Sequence, residues 1–423
     1  MGSSVAVIGT GYVGLTTGAS LAHFGHQVVC ADVSEARVAS LTAGQIPFYE
    51  PGLAELVQEC VQSGRLSFTT SNADAVAHAE FVFLCLPTPQ GADGAADLSY
   101  VQAAAASIGP SLQPDTVVVN KSTVPVGAAL LVSSIIDRPD IHVVSNPEFL
   151  REGTAVGDCL RPDRVVIGAT DLPAAHRLAA LYQTNGAPVL ITDPASAETV
   201  KYAANAFLAA KLSFVNSVAT LCEAFGANVT DVVRGMSLDH RIGTHFMSPG
   251  PGWGGSCLPK DTAALVHMAE EAGYDFELLR SVIDANDSHR ERLVDKIELA
   301  AGGSLSGRMV AVWGLAFKAG TDDVRESPAV AVVRSLLARG ATVQAFDPQA
   351  TVVLDGLVQV PSALDAVHDA DVLVLLTEWP EFAHVPLEHV GHELRGATVV
   401  DARNLLDRKA AAAVGLHVVG IGS

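Results

Sequence analysis

One segment of the sequence combines a cysteine with neighbours that would make its thiol reactive. It reads Trp253-Gly-Gly-Ser-Cys257-Leu-Pro-Lys260-Asp261. Because Pro259 suits a first helical turn, the pattern predicts Cys257 at a helix N-terminus beside Lys260, where helix dipole and ammonium both lower a thiol pKa from about 8.5. Asp261 opposes that effect, and is suited to hold a water molecule or a side chain. Most free cysteines are buried and unreactive, but these neighbours favour a nucleophile.

A second segment predicts a dinucleotide site. Gly9-Thr-Gly11-Tyr-Val-Gly14 is a GxGxxG sequence between a strand candidate, Ser4–Ile8, and a helix candidate. Such glycines let the backbone turn tightly and approach a pyrophosphate. Asp32 follows 23 residues after Gly9, where a carboxylate accepts the ribose 2′-hydroxyl and favours NAD over NADP. The alternative is a glycine-rich turn with a solvated Asp.

A thiolate beside NAD indicates a particular reaction. Oxidation of an alcohol to an aldehyde needs no thiol, but hydride transfer from an aldehyde to give an acid first needs a tetrahedral adduct. A thiolate supplies it as a thiohemiacetal, hydride loss gives a thioester, and water then releases the acid. The predicted reaction is a two-step, four-electron oxidation.

Three further groups of polar residues are candidates to assist this reaction. Glu148 and Glu152 follow a strand candidate and are suited to act as a base or position water, unless they are surface acids at a helix start. Lys201 and Asn205 share one helix face and would suit an oxyanion, although a solvated face is the simpler reading. Thr123 follows a strand at the carboxyl edge of the sheet, where it would hold a hydroxyl or water, or form a simple turn.

Composition and charge exclude several classes of protein. The 423 residues carry a formal net charge of −20, which disfavours nucleic acids and acidic membranes as partners. No apolar run approaches the ~18 residues of a membrane helix, and no signal peptide is recognisable. The six cysteines have neither paired nor metal-ligand spacing. We therefore expect a cytoplasmic protein with reduced thiols and no metal.

The apolar pattern predicts an α/β protein with two Rossmann-like, doubly wound parallel-sheet domains joined by a long central helix and a helical segment. Strand and helix candidates alternate over the first 120 residues, helical periodicity runs from 196 to 225, and alternation returns after Gly302-Gly303-Ser304. The predicted domains are 1–195, 196–300 and 301–423. Since the last has Gly314-Leu-Ala-Phe-Lys318 in place of GxGxxG, we expect the two sheets to bind different ligands.

Nine motifs resemble, in order, those of the UDP-glucose/GDP-mannose dehydrogenase family. They are GTGYVG, FYEPGL, KSTVPVG, NPEFLREGTA, KYAANAFLA, RIG, GGSCLPKD, AFKAGTDDVRES and DAR. Because they span nearly the whole chain, it is identified as a member of that family. The resemblance implies that 1–195 binds NAD, that 196–300 mediates homodimerisation and that 301–423 binds the UDP-sugar.

The same resemblance bears on the sugar. REGTA and FYEPGL resemble the UDP-glucose branch, whereas Trp253 and Leu258 depart from it. UDP-glucose is the expected substrate, with GDP-mannose and the UDP-N-acetyl-hexosamines as alternatives.

Roles are implied residue by residue. Cys257 resembles the nucleophile, Lys201 and Asn205 the pair that stabilises the oxyanion, and Thr123 and Asp261 the residues that hold the catalytic water. Further roles are implied for Glu148 as hydrolysis base, for Glu152 beside substrate and cofactor, and for Arg241, which resembles an arginine reaching the partner subunit's substrate.

Binding residues are implied in the same way. The cofactor set is Gly9, Gly11, Tyr12, Val13, Gly14, Asp32, Arg37, Thr88, Thr123, Glu152, Lys260 and Arg325. The substrate set is Glu148, Phe149, Leu150, Lys201, Asn205, Arg241, Gly254, Cys257, Lys318 and Arg403.

Two other functions fit parts of the pattern. A one-step NAD-dependent hydroxyacid or sugar-acid dehydrogenase would use a Lys/Asn pair but would not need Cys257. A non-catalytic sensor of NAD or a sugar nucleotide would bind without forming NADH. The presence together of Cys257, Lys201, Asn205 and Asp261 argues against a sensor. The leading hypothesis is NAD-dependent oxidation of UDP-glucose to UDP-glucuronate.

Overall fold

The chain forms two compact units in the computed structural model, which describes residues 2–91, 94–182 and 186–422. Unit 1 comprises Met1–Ala204 with Ala263–Glu271, and unit 2 comprises Asn205–Thr262 with Ala272–Ser423. Two of the three boundaries, after Ala204 and after Thr262, fall inside helices, and the third, after Glu271, falls at the end of a helix. The expected three domains, 1–195, 196–300 and 301–423, stay a prediction.

Unit 1 is built around an eight-stranded sheet with the strand order β3-β2-β1-β4-β5-β6-β7-β8. Strands β1 to β6 run parallel, whereas β7 pairs with β6 in the antiparallel direction and with β8 in parallel. The elements are β1 (Ser4–Ile8), α1 (Tyr12–His23), β2 (Gln27–Ala31), α2 (Glu35–Thr42), α3 (Leu53–Gln62), β3 (Leu66–Thr69), α4 (Asn72–Val76), β4 (Phe81–Leu84), α5 (Ser99–Ile108), β5 (Val117–Asn120), α6 (Ala128–Ile136), β6 (His142–Ser145), α7 (Ala155–Leu160), β7 (Val165–Gly168), α8 (Leu172–Leu181) and β8 (Val189–Thr192).

Unit 2 contains a six-stranded parallel sheet with the order β11-β10-β9-β12-β13-β14. Counted from its own first strand, this order repeats that of the first six strands of unit 1, the order 3-2-1-4-5-6 of a Rossmann fold. The remaining elements of the chain are α9 (Pro194–Phe225), α10 (Val229–Ser237), α11 (Leu258–Glu271), α12 (Glu277–Ala300), β9 (Met309–Trp313), α13 (Pro328–Ala338), β10 (Thr342–Phe346), β11 (Leu357–Gln359), α14 (Ala363–Val367), β12 (Val372–Leu375), α15 (Leu387–Glu393), β13 (Thr398–Asp401), α16 (Arg408–Ala413) and β14 (His417–Gly420).

The cores explain why the strands were recognisable. Every residue of Phe81–Leu84, Val117–Asn120 and Val372–Leu375 is buried, because helices cover both faces of a doubly wound sheet and leave no polar side to the strand. The predicted fold class, two Rossmann-like parallel-sheet domains with a long central helix, is confirmed; the antiparallel β7 and β8 are the exception.

The helix α9 is long and apolar enough to cross a membrane by length and composition alone, with a mean hydropathy of 1.2 over an 18-residue stretch. Of that stretch 44% is buried inside the protein. Lys201 and Asn205 lie on this helix, and both are themselves buried.

In each sheet the strand order reverses between the first and fourth strands, and the loops that follow them open at the carboxyl edge. In unit 1 these loops hold Gly9 and Thr88, and in unit 2 they hold Gly314 and Thr377. Ligands of open α/β sheets bind at this reversal point.

Candidate active site

The glycine loop of unit 1 joins β1 to α1, as expected from its sequence. The packing of the protein itself requires glycine at position 14, because a Cβ there would lie 1.9 Å from the carbonyl oxygen of Gly9. Gly11 is different, since a Cβ there would meet no protein atom within 4 Å. The open space in front of Gly11, at the start of α1, fits the close approach of a pyrophosphate to a helix N-terminus. Tyr12 and Val13 begin the helix itself.

Asp32 follows β2, and its carboxylate is held on both oxygens. Oδ2 accepts hydrogen bonds from Thr10 N at 3.0 Å and Thr10 Oγ1 at 2.7 Å, and lies 3.2 Å from Arg37 Nη1, while Oδ1 accepts from Ser34 N at 3.0 Å. Burial alone would raise the pKa of this carboxyl, but the hydrogen bonds from Ser34 and Thr10 and the Arg37 charge outweigh it and hold the pKa below its usual value. Asp32 is therefore an anion at neutral pH, which suits a ribose hydroxyl.

Glu50 is a functional candidate that the sequence analysis missed. It is 6% exposed and accepts hydrogen bonds from Gly153 N at 2.6 Å, from Ala155 N at 2.7 Å and from the hydroxyl of Tyr12. Burial, reinforced by Glu50, raises the pKa of Tyr12 far above its usual value. Glu50 thus ties the glycine loop to the segment that carries Glu152. The motif FYEPGL contained it, but nothing in the motif indicated its partners.

Thr88 and Thr123, two predicted cofactor residues, come together at the carboxyl edge of unit 1. The hydroxyl of Thr88 donates to the carbonyl oxygen of Thr123 at 2.9 Å. Thr88 is buried and Thr123 is half-buried. The contact joins the loops after β4 and β5, next to the point where the strand order reverses.

Glu148 and Lys201 form a buried ion pair. Lys201 Nζ lies 2.8 Å from Glu148 Oε1, with the side chains 4% and 7% exposed, and Glu148 Oε2 accepts from Leu150 N at 2.8 Å. Removing one partner of such a pair typically costs 3–5 kcal/mol. Glu148 and Glu152 are both buried in an irregular segment, so they are not surface acids at a helix start. Phe149 packs beside them, with the Arg164 guanidinium 3.7 Å from its ring centre.

Unit 2 places Cys257 directly before α11, as predicted. The Cys257 carbonyl accepts from Asp261 N at 2.9 Å, which closes the first turn of the helix. Asp261 is fully buried and accepts from Asn205 Nδ2 at 2.6 Å and Lys260 Nζ at 2.6 Å. The amide of Asn205 and the ammonium of Lys260 thus satisfy a buried charge, and Asp261 holds a side chain, one of the two roles expected for it.

The glycine loop before Cys257 is attached to helices α9 and α12 of unit 2. Trp253 is 5% exposed; its indole Nε1 donates to Ser213 Oγ at 2.8 Å, and its backbone exchanges hydrogen bonds with the side chain of Asn286 at 2.9 and 3.0 Å. Gly250 donates to Asn216 Oδ1 at 2.9 Å, and its carbonyl lies 2.7 Å from His289 Nε2. The departure from the family pattern at Trp253 therefore anchors the loop.

The same loop meets the residues that replace GxGxxG in unit 2. A Cβ at Gly254 would lie 2.0 Å from the carbonyl oxygen of Glu326, so the loop packs directly on backbone. Arg403 donates to Leu376 O at 2.8 Å and to Phe317 O at 3.2 Å, and Lys318 Nζ lies 5.6 Å from the Phe317 ring centre. A Cβ at Gly255 would lie 2.8 Å from the Phe317 ring. Lys318, Arg403 and Gly255 thus lie beside Phe317, which sequence analysis did not select.

Two predicted arginines lie in unit 2 with carboxylate partners. Arg325 forms a bidentate pair with Asp323 at 2.6–3.0 Å. Arg241 is 79% exposed and pairs with Asp239 at 2.6 Å. Their proposed contacts, with cofactor and with a partner subunit's substrate, stay predictions.

Comparison with known proteins is consistent along the whole chain. Models of the UDP-glucose/GDP-mannose dehydrogenase family match residues 3–185 as the NAD binding domain, 195–288 as the central domain and 311–408 as the UDP binding domain. UDP-glucose 6-dehydrogenase TuaD of Bacillus subtilis (strain 168) is 45% identical, covering 99% of this chain and 93% of its own.

Two solved structures are also similar. A UDP-glucose dehydrogenase from Pyrobaculum islandicum superposes with a TM-score of 0.93 at 40% identity, covering 100% of this chain and 98% of its own. A UDP-D-ManNAc dehydrogenase from Pyrococcus horikoshii gives a TM-score of 0.88 at 29% identity, covering 99% of both chains.

The glycine loop of unit 1 gives a paired prediction. Gly14→Ala forces backbone to move, so we expect it to lower the free energy of unfolding by about 1–3 kcal/mol. Gly11→Ala has room for its methyl group and is expected to change stability by less than about 1 kcal/mol, yet to weaken NAD binding at least tenfold. Urea unfolding and calorimetric titration with NAD test both; unchanged NAD affinity in Gly11→Ala would remove the assignment of this space to the pyrophosphate.

The anchoring of Trp253 gives a second prediction. Trp253→Phe leaves the Ser213 hydroxyl without its indole donor and should cost about 1–3 kcal/mol of unfolding free energy. The matched control is the double variant Trp253→Phe, Ser213→Ala, which we expect to lose less than the sum of the two single variants. Additive losses in urea unfolding would show that the indole hydrogen bond does not stabilise the loop.

Proposed function

Since the chain belongs to the UDP-glucose/GDP-mannose dehydrogenase family, we propose that it oxidises the C6 alcohol of UDP-glucose to the carboxylate of UDP-glucuronate. The observation that carries the proposal is Cys257 at the start of α11, one turn before a buried Asp261 held by Asn205 and Lys260. Relatives named as UDP-glucose 6-dehydrogenases favour this sugar over the alternatives.

The residues of unit 1 fit NAD. The space before Gly11, the N-terminus of α1 and the ionised Asp32 suit its pyrophosphate and adenosine ribose. Bound NAD supplies the hydride acceptor. The hydrogen bonds from Ser34 and Thr10, together with the Arg37 charge, hold the pKa of Asp32 below its usual value. Glu50 holds Tyr12 and the Glu152 segment in place beside this cradle.

In the proposed reaction the C6 alcohol first loses a hydride, releases its hydroxyl proton to water, and becomes an aldehyde. The Cys257 thiolate then adds to C6, and Lys201 and Asn205 stabilise the negative oxygen. Loss of a second hydride gives the thioester. A water, held by Thr123 and Asp261 and deprotonated by Glu148, attacks C6; the C–S bond breaks and returns the thiolate.

The pairing of Lys201 with Glu148 suits both proposed roles. As a cation, Lys201 neutralises an oxyanion, and its contact with Glu148 Oε1 at 2.8 Å holds this carboxylate in the position proposed for the hydrolysis base. We propose that Phe149, Leu150, Gly254, Lys318 and Arg403 hold the nucleotide sugar, and that the protein is cytoplasmic.

The chemistry is tested by counting NADH. With limiting UDP-glucose and excess NAD, two NADH per sugar and UDP-glucuronate as product are expected.

The role of Cys257 is tested with two variants. Cys257→Ser should release acid much more slowly than the wild type and should hold the sugar as an ester, visible as added mass on the intact protein. Cys257→Ala should neither hold the sugar nor make acid. Normal acid turnover by Cys257→Ser would rule out the thioester scheme, and one NADH per sugar in the wild type would favour a single oxidation.

We also propose a homodimer in which Arg241 reaches the partner subunit's substrate. The Arg241 side chain is 79% exposed, which supports a contact with another chain. If Cys257→Ser and Arg241→Ala chains are mixed and reassembled, roughly a quarter of wild-type activity should return, because half the dimers then have one intact site. No recovery from two separately inactive variants would show that Arg241 acts within its own chain.

A further inference from the structure

A cavity in unit 1 lies apart from the glycine loop and Asp32. Its volume is about 160 Å³, and its walls come from α1, the segments after β5 and β6, the α7–β7 connection and the end of α8. Of the predicted catalytic and binding residues only Glu148, Phe149 and Leu150 border it. A cavity of about 150 Å³ admits benzene, so this one admits a molecule of about five to seven non-hydrogen atoms.

The most buried cation of the wall is Lys121. It is 8% exposed, and its Nζ donates to Asn146 Oδ1 at 3.1 Å and to the Tyr182 hydroxyl at 3.5 Å. Both acceptors are neutral and use two of its three protons. Within the described residues, no carboxylate oxygen forms an ion pair with it, and a buried ammonium is costly without an anion.

Further positive charge lies toward the solvent side of the cavity. The Arg164 guanidinium stacks on Phe149, and Arg161 is exposed; over the described ranges neither is ion-paired with a carboxylate. Arg151 already pairs with Asp158 at 2.6 Å. The wall also carries three carboxylates, so its four cations exceed its acids by one; the acids are Glu148, which pairs with Lys201, Asp158 and Asp163. On a chain with a net charge of −20, even this small local excess of positive charge in a concave region favours anions.

A polar group on α1 also lacks a partner. Thr17 is 4% exposed, and its Oγ1 is buried without a hydrogen bond. An unsatisfied buried hydroxyl is unfavourable, and rotation about one bond lets Thr17 turn toward a ligand. The wall thus offers the buried ammonium of Lys121, the more exposed guanidinium groups of Arg161 and Arg164, and the hydroxyl of Thr17.

We propose that this cavity binds a small anion with a phosphate or short carboxylate group, held by Lys121 and Arg164. Its wall includes Asn146 and Glu148, which belong to the segment following β6. Occupancy would therefore stiffen the segment that carries Glu148, whose carboxylate is held by Lys201. Anion binding in this cavity is independent of which nucleotide sugar the protein oxidises.

The test uses the full chain and two probes, inorganic phosphate and malonate, at an ionic strength matched with sodium chloride. We expect at least one probe to raise the Tm saturably by roughly 2–4 °C, and the Lys121→Met variant to lose that rise. A rise with phosphate alone would assign the site to phosphate groups, and a rise with malonate alone to short carboxylates. No saturable rise with either probe would overturn the proposal.

The control addresses anions that bind elsewhere. Lys318→Met removes a proposed substrate contact in unit 2 and should keep the rise in Tm. If the rise in Tm disappears in Lys318→Met but remains in Lys121→Met, the anion binds in the nucleotide-sugar site and the proposal is overturned. Should Lys121→Met not fold, Arg164→Met, whose guanidinium stacks on Phe149 nearer the solvent, takes its place with the same expected loss. NADH stoichiometry is measured separately, so failure of the proposed reaction would leave this result unaffected.

Discussion

The chemistry of unit 2 depends on one buried charge. Asp261 has no exposed surface, and a carboxylate in such a place is tolerated only when its oxygens are satisfied. Asn205 and Lys260 supply those hydrogen bonds. Because Asn205 lies on α9 and Asp261 on α11, their hydrogen bond fixes the first turn of α11 against α9. Cys257, one turn earlier, takes its position from the same turn.

The two sheets show how one architecture serves different purposes. In both, an aspartate follows the second strand and accepts hydrogen bonds from the loop after the first. Asp32 receives them from Thr10, and it also accepts hydrogen bonds from Ser34 and Arg37, which follow the second strand. Asp347 instead receives two backbone N–H groups, of Leu315 and Ala316, and the Trp379 indole on a single oxygen. The second aspartate is thus fully used in shaping its loop, which agrees with the loss of GxGxxG there.

What the sequence predicted well has a local physical cause. The buried strands are continuous apolar runs, Pro259 marks the start of α11, and the glycine spacing marks the turn before α1. The reversed direction of β7 could not be predicted, because a buried strand has the same composition in either direction. Partners distant in sequence were also out of reach: Lys201 meets Glu148 across 53 residues, and Glu50 meets Ala155 across 105. The inward position of Trp253 likewise depends on Ser213 and Asn286, which no local pattern connects to it.

The placement of the indoles gives the protein an uneven optical signature. The sequence has three tryptophans, and Trp253, Trp313 and Trp379 all lie in unit 2, each at least nine-tenths buried. Unit 1, with no indole, contributes to far-ultraviolet dichroism but not to tryptophan emission. The emission of this chain is therefore a domain-selective signal, in which one of three fluorophores sits four residues from the proposed nucleophile. Comparing the two spectroscopies during denaturation separates the melting of one half of the molecule from that of the other without any introduced label.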